Sequence, residues 1–572
     1  MLMDRRHFLT ASITAKPFAS EPIVQKPIQK EQEETLRTNS GVNPYSGSWT
    51  TNEVIHLLKR TMFGAKKADV DFFKTMTMGQ AVDFLLNVPV APPAPPVKTY
   101  TIATGGTTPA TDPDFTLNIG DTWVNNYTTD GSVNANRRAS FKAWWTGLML
   151  NQDRNILEKM TLFWHNHFAT ETADVAFGIS CYNHHSKLRQ NALGNFKQLV
   201  KAITIDPAML RYLNNELNTR TAPDENFARE LQELFTVGKK LGTAGFTEDD
   251  VKQAAKVLTG YRVNYTTLTS YFDTNRHETS NKQFSSFYNN TIITGRTGAN
   301  GALELDDMLA MIFNTDEVSK HICRNLYRFF VYYTIDAATE ANVILPLAQL
   351  FKQSNYDIKP VMAKLLKSEH FYDVLNQGCH IKPPIDLVVG MCREFGVVFP
   401  PDTDPLNAYY MYSYVQSIAT NCQQNIGDPP DVAGWKAYYQ APQFHEIWIN
   451  SDTLPKRNQF TDLMAVNGYT RNNKNIKIDP IAFVKTMPNP GNPNLLITDV
   501  LQYLFRMPLS QTSRDQIKKD ILLTGQVQDY YWSDAWAAYL AAPTNTVALT
   551  TVRTRLQNLF KYLMALSEYQ LS

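Results

Sequence analysis

LEKMTLFWHNHF, residues 157–168, decides the class of fold. At roughly 100° per residue, Leu157, Met160, Trp164 and Phe168 fall on one apolar stripe of a helix. The same spacing recurs outward from it. Val54, Leu57, Leu58 and Met62 follow the capping residues Trp49-Thr50-Thr51-Asn52 and run up to Gly64, and Phe141, Trp144, Trp145 and Leu148 repeat it over 139–151. Helical patterning also covers 68–86, 185–204, 207–214, 304–313, 316–332, 338–353, 358–367 and 384–395, then 500–506, 513–524, 533–541 and 547–566. Thr247-x-x-Asp250 is an acidic capping box for a helix that stops near Gly260. Between 261 and 301 the Thr, Asn, Tyr and Gly content favours loops with a short β-hairpin. Neither a repeat of fixed period nor a strand–helix alternation is present. The expected fold is therefore all-α: an irregular multi-helix single large domain with long surface loops and a short hairpin.

Three segments are expected. Residues 1–45 form a disordered leader, in which Asp4-Arg5-Arg6-His7-Phe8-Leu9-Thr10 resembles a twin-arginine export motif. The stretch after it is interrupted by Lys16 and Pro17, so a basic tail and a degenerate export signal both stay open. Residues 46–457 form the helical core, broken at 88–120 by a Pro- and Gly-rich loop insertion containing APPAPPV and ATGGTTPATDP. Residues 458–572 form a helical extension packed on that core. Location is expected to be periplasmic or exported, with cytoplasmic the alternative.

Composition narrows the partners. With 55 Lys+Arg against 54 Asp+Glu, no global field draws the chain to nucleic acid. No apolar run reaches the roughly 18–20 residues of a membrane span, so a soluble protein is expected. Cys181, Cys323, Cys379, Cys392 and Cys422 lie far apart without a C-x-x-C pair, which favours buried thiols over a zinc ribbon or a disulfide framework. Phosphate-binding glycine loops, G-x-S-x-G, H-E-x-x-H and dinucleotide fingerprints are all missing.

Chemistry concentrates in two helices. On the first, Trp164-His165-Asn166-His167 ends the opening stretch, but His165 and His167 lie roughly 80° to either side of the apolar stripe. Two histidines at i, i+2 do not share one metal from a regular helix, so boundary hydrogen bonding, proton transfer and ligation all remain open. On the second, 224–235 (DENFARELQELF), Asn226, Glu230 and Glu233 fall within a ~60° arc, opposite Phe227, Leu231, Leu234 and Phe235. Glu225, Arg229 and Glu233 are equally well spaced for surface ion pairs. His165, His167, Asn226, Glu230 and Glu233 are thus the catalytic candidates. Arg60, Trp164, His277, Asp431 and Trp435 are the substrate-binding candidates, the last two from the Pro/Gly-shaped turn 427–435. Metal content and cofactors are left unassigned.

In order along the chain, VIHLLKRTMFGA (54–65), EKMTLFWHNHFAT (158–170), DPAMLRYLNN (206–215), ENFARELQELFTVG (225–238), FTEDDVKQAAKVLTGY (246–261), HICRNLYRFFV (321–331), KPPIDLVVG (382–390), PPDVAGW (429–435) and EYQLS (568–572) resemble the DUF1800 family. Two departures stand out: Asp224 replaces the Asn that commonly opens the second helix motif, and Glu278 replaces the Asp after His277. The resemblance implies a helical bacterial protein, often exported and often encoded beside a DUF1501 sulfatase-like partner. It implies no reaction. Three readings follow: a general acid/base hydrolase acting on a polysaccharide or other surface polymer, a non-catalytic assembly protein working with the sulfatase-like partner, and a histidine/carboxylate metal-dependent enzyme.

Overall fold

Side-chain caps set where the helices begin in the computed structural model, which describes residues 38–89, 91–102, 106–239 and 245–572. The Thr50–Glu53 capping box opens Thr51–Thr61, and the Thr247–Asp250 box opens Glu248–Val257. A third box, Thr77 with Gln80, opens Met78–Leu85. It divides the stretch 68–86, which periodicity alone reads as one helix, into Lys67–Lys74 and Met78–Leu85. The Thr77 hydroxyl and Gln80 amide satisfy backbone groups that a continuous helix would have used.

The protein is all-α apart from three small antiparallel hairpins among the described residues. Tyr261–Asn264 pairs with Thr269–Phe272, and Lys282–Gln283 with Ile292–Ile293, both inside the loop-rich stretch. The third, Tyr469–Arg471 with Lys474–Ile476, turns through Asn472 and Asn473, both at positive φ. Two long helices carry no clear apolar period: Pro405–Asn421 and Thr453–Val466. The first is rich in Tyr, Ser and Asn rather than Leu, and it becomes a helix by packing along Gly131–Leu150.

One continuous apolar core runs from Val54 to Tyr569. Position 457 falls inside the helix Thr453–Val466, which packs against Thr546–Ala565. Residues 568–572 return to the centre, with Leu571 bridging Ile381 and Lys382 N donating to Gln570 O at 2.8 Å. The insertion has little regular structure, yet it is pinned to the core. Asp114, fully buried, pairs with the fully buried Arg137 of the core, and within the insertion Lys98 Nζ donates to Leu117 O at 2.8 Å and to Asp114 O at 2.6 Å. At the other end, Pro44 bridges Ser368 and Tyr45 N donates to Lys367 O at 2.8 Å. The twin-arginine-like motif lies outside the described residues. Among the described residues no helix is long and apolar enough to cross a membrane, and all five cysteines are buried free thiols.

Candidate functional site

Every residue of the helix Leu157–His167 is buried, so each polar side chain on it needs a partner. Glu158 meets Arg189 at 3.0 Å, and Lys159 pairs with Asp386. At the C-terminal end the two imidazoles leave on different sides, as helical geometry requires. His165 stands edge-on to Trp145, 4.9 Å between centroids, and 5.8 Å from Trp435, with Nε2 lacking a hydrogen bond. His167 Nε2 donates to Phe235 O at 3.1 Å.

That carbonyl belongs to the second helix. Asn226–Glu230 runs into a π-helical turn, Leu231–Thr236, where the ladder loosens and Val237 N and Gly238 N both fall on Gln232 O. The carbonyls of Leu234 and Phe235 are thereby released, and they are taken by His321 Nε2 at 2.9 Å and His167 Nε2 at 3.1 Å. The first and second helices therefore meet through an imidazole acting as a C-terminal cap. Burial pushes the pKa of both His165 and His167 down to about 3, with the neighbouring His184 adding to the effect at His165 and His321 at His167. Both are neutral at pH 7.

The turn 427–435 closes over the same end of the first helix. Trp435 N donates to Asn166 Oδ1 at 2.9 Å. Gly434 sits at φ +87°, and a Cβ there would lie 2.4 Å from both Asn166 O and Oδ1. Gly434→Ala is expected to cost about 2–3 kcal/mol, from the left-handed backbone and the displaced Asn166, read as a lower urea midpoint. Asp428 accepts from Thr172 N at 2.8 Å and Thr172 Oγ1 at 2.6 Å and pairs with Lys142. Asp431 Oδ1 accepts from Ala433 N at 2.9 Å, and its Oδ2 accepts from Tyr439 OH at 2.8 Å.

Above this buried layer the accessible chemistry is acidic. Glu230 is half-buried, and desolvation first, then the charges of Glu233 and Asp431, raise its pKa. Glu233 is ion-paired with Lys239 at 2.8 Å. Glu171 is raised as well, by desolvation and then by Asp174, Asp428 and Asp431. The field of Asp431 also reaches Tyr212, whose phenol is raised chiefly by burial. The charge of Asp431 is thus felt on three other segments, at Glu171, Tyr212 and Glu230. Asn226, exposed, donates Nδ2 to Leu213 O at 3.2 Å and ties two of these segments together.

Of the residues singled out from sequence, Glu230, Glu233 and Asp431 carry this face, while His165, His167, Trp164 and Trp435 form the aromatic layer beneath; Trp164 Nε1 donates to Ala192 O at 2.9 Å. Arg60 and His277 lie in two other buried clusters. His277 Nε2 is 3.1 Å from Glu304 Oε1, and its Nδ1 is 3.0 Å from Thr259 O. Arg60 Nη2 donates to Asn376 O at 3.1 Å and Cys379 Sγ at 3.2 Å. Sequence reading passed over Glu171, His184, His185, Glu304, His321 and Asp428. Asp428 was within reach, since it sits in the same turn as Asp431. Among the described residues no group of three or more His, Cys, Asp or Glu side chains is disposed to hold a metal ion.

A helical scaffold that buries most of the described histidines and leaves Glu171, Glu230, Glu233 and Asp431 half-buried defines the class of this protein. The chain belongs to the DUF1800 family, described as proteins of unknown function, whose sequence profile matches residues 56–571. No curated protein and no solved structure matches it.

Proposed function

We propose that the acidic face is a general acid/base site of a hydrolase, with Glu230 as the proton-holding residue and Asp431 as its partner carboxylate. One observation carries this reading: Glu230 is pushed toward its protonated form by burial, Glu233 and Asp431, while remaining partly open to solvent. Carboxylates in one face with unequal environments are the usual arrangement for acid and base roles at neutral pH. Tyr212 and Tyr439 beside them supply aromatic surface of the kind that sugar rings stack on. A polysaccharide or other surface polymer is the substrate class that fits, and the arginine pair near the N-terminus accords with an exported protein. Turnover on a panel of such polymers, compared between wild type and Glu230→Gln, tests the assignment. The variant is expected to lose about 10²–10⁴-fold in kcat with unchanged Tm, and equal activity would remove Glu230 from the mechanism. Because the acid form is the active one, wild-type activity should fall as pH rises through the raised Glu230 pKa.

A second reading, assembly without catalysis beside a DUF1501 sulfatase-like partner, is favoured by the buried, carbonyl-bonded His167, which locks two helices rather than facing solvent. Retention of that partner on the tagged full chain, with no turnover by the chain alone, would decide for it.

A further inference from the structure

A second polar cluster, distinct from the acidic face, lies where the helices Thr51–Thr61, Pro384–Glu394 and Thr453–Val466 meet the segment 568–572. Lys59, Arg60, Lys159, Lys382 and Arg457 are all at most 5% exposed, and the buried carboxylates among them are Asp386 and Glu394. Glu394 takes Lys59 at 2.8 Å, and Asp386 takes Lys159. Among the described residues, three cations then remain without a carboxylate at salt-bridge distance. Arg60 is bonded to Asn376 O and Cys379 Sγ, and Arg457 to Gln570 Oε1 at 3.2 Å and Lys382 O at 2.8 Å, with the Nε of each lacking a partner. Lys382 Nζ stands 3.8 Å over the Tyr569 ring.

Lys382 is the hub. It feels Lys59, Glu394, Arg457 and Arg506, and it bears in turn on Asp386, which also feels Lys159 and Arg60. Next to Asp386 the Tyr438 hydroxyl and the Gln424 Nε2 are buried neighbours without a hydrogen bond of normal geometry. A guanidinium holds its proton far more firmly than a buried lysine ammonium does. Burying a charge without a counter-charge costs several kcal/mol. The cluster therefore has the charge and the unused donors of a site for an anion.

We infer that the interior around Lys382, Arg457 and Arg60 binds a small multivalent oxyanion, of the phosphate, sulfate or polycarboxylate class, as a structural counter-ion. This inference stands independently of the hydrolase reading. The test uses the full chain purified in chloride buffer. Anions released on denaturation are measured by ion chromatography, and Tm is followed with added phosphate, sulfate or citrate at matched ionic strength, for wild type, Lys382→Met and Lys382→Arg. The expected result is either about one equivalent of released oxyanion or a saturable Tm rise of about 2 °C at a hundredfold excess over Kd. Either effect should be lost in Lys382→Met and kept in Lys382→Arg, and the arm that responds identifies which oxyanion fits. Without anion, Lys382→Met should melt above wild type, because it removes an uncompensated charge. Wild type that releases no oxyanion and responds as it does to chloride overturns the inference, as does an equal response in Lys382→Met.

Discussion

Acidification from pH 7 to pH 5 is expected to remove a large part of the stability of this protein. His165 and His167 are neutral in the fold, with pKa values pushed down to about 3, and His56 and His185 are driven well below the ordinary value for the same reason, burial. All four are at most 8% exposed. The unfolded chain takes up their protons near pH 6.5, while the folded chain does so only far lower. Their contribution is therefore fully present above about pH 6.5 and is lost progressively as pH falls toward the folded values. Each such group costs about 1.4 kcal/mol per pH unit in that window. By pH 5 His165 and His167 together amount to about 4 kcal/mol, and His56 and His185 add to it in the same direction, against the ~5–15 kcal/mol stability of a whole fold. Glu158 and Asp386, raised by burial, act with the opposite sign and offset part of the loss, because their folded forms take up protons first. Tm measured from pH 8 to 4.5 should fall steeply below about pH 6. His185→Phe isolates one contribution, since neither ring nitrogen of His185 is hydrogen-bonded and the ring lies among Phe141, Trp144 and Trp145. That variant should match or exceed wild type at pH 8 and show a slope shallower by about 1.4 kcal/mol per unit. A Tm that stays level from pH 7 to 5 would refute the account.

Loss of the Glu304 carboxylate is the second large effect. Glu304 is fully buried, accepts from Lys282 Nζ and Arg296 N, each at 2.6 Å, and lies 3.1 Å from His277 Nε2. Lys282 is fully buried too. Glu304→Ala leaves that ammonium without its main counter-charge and is expected to cost about 3–5 kcal/mol. The price falls chiefly on the orphaned charge, so Glu304→Ala with Lys282→Met should recover much of it. Urea unfolding of the single and double variants checks this, and coincident midpoints would show that the pair does not govern stability. Gly301 belongs to the same unit, since a Cβ there would come within 2.6 Å of the His277 ring.

The glutamate that matters for His277 and Lys282 lies 22 residues beyond Lys282 at the start of another helix, and a pattern of His-Glu before Lys points instead to Glu278. Glu278 is partly exposed, bonds Ser280 N at 3.0 Å and Ser280 Oγ at 2.8 Å, and its carboxylate stands 3.7 Å from Lys282 Nζ, against 2.6 Å for Glu304. Similarly, the spacing of Glu225, Arg229 and Glu233 reads as an i, i+4 surface ladder. Arg229 does reach Glu225 at 3.2 Å, but it also reaches Glu248 on the next helix at 2.6 Å, while Glu233 turns to Lys239. Local spacing identifies which pairs are within reach, and burial with long-range neighbours selects among them.

What the amino-acid order determines on its own is short-range. Apolar stripes at helical spacing, the Thr247–Asp250 cap and the divergence of His165 from His167 all follow from geometry within one or two turns, and each is legible without knowing any other part of the chain. Tertiary structure decides what the polar residues do. Asn166 meets Trp435 N across 269 positions, and His167 meets Phe235 O across 68. Desolvation and fields from such distant neighbours make the histidines neutral and raise Glu230. Ionisation depends on what surrounds a group in space, and sequence spacing carries that information only across the few residues that share a helical face.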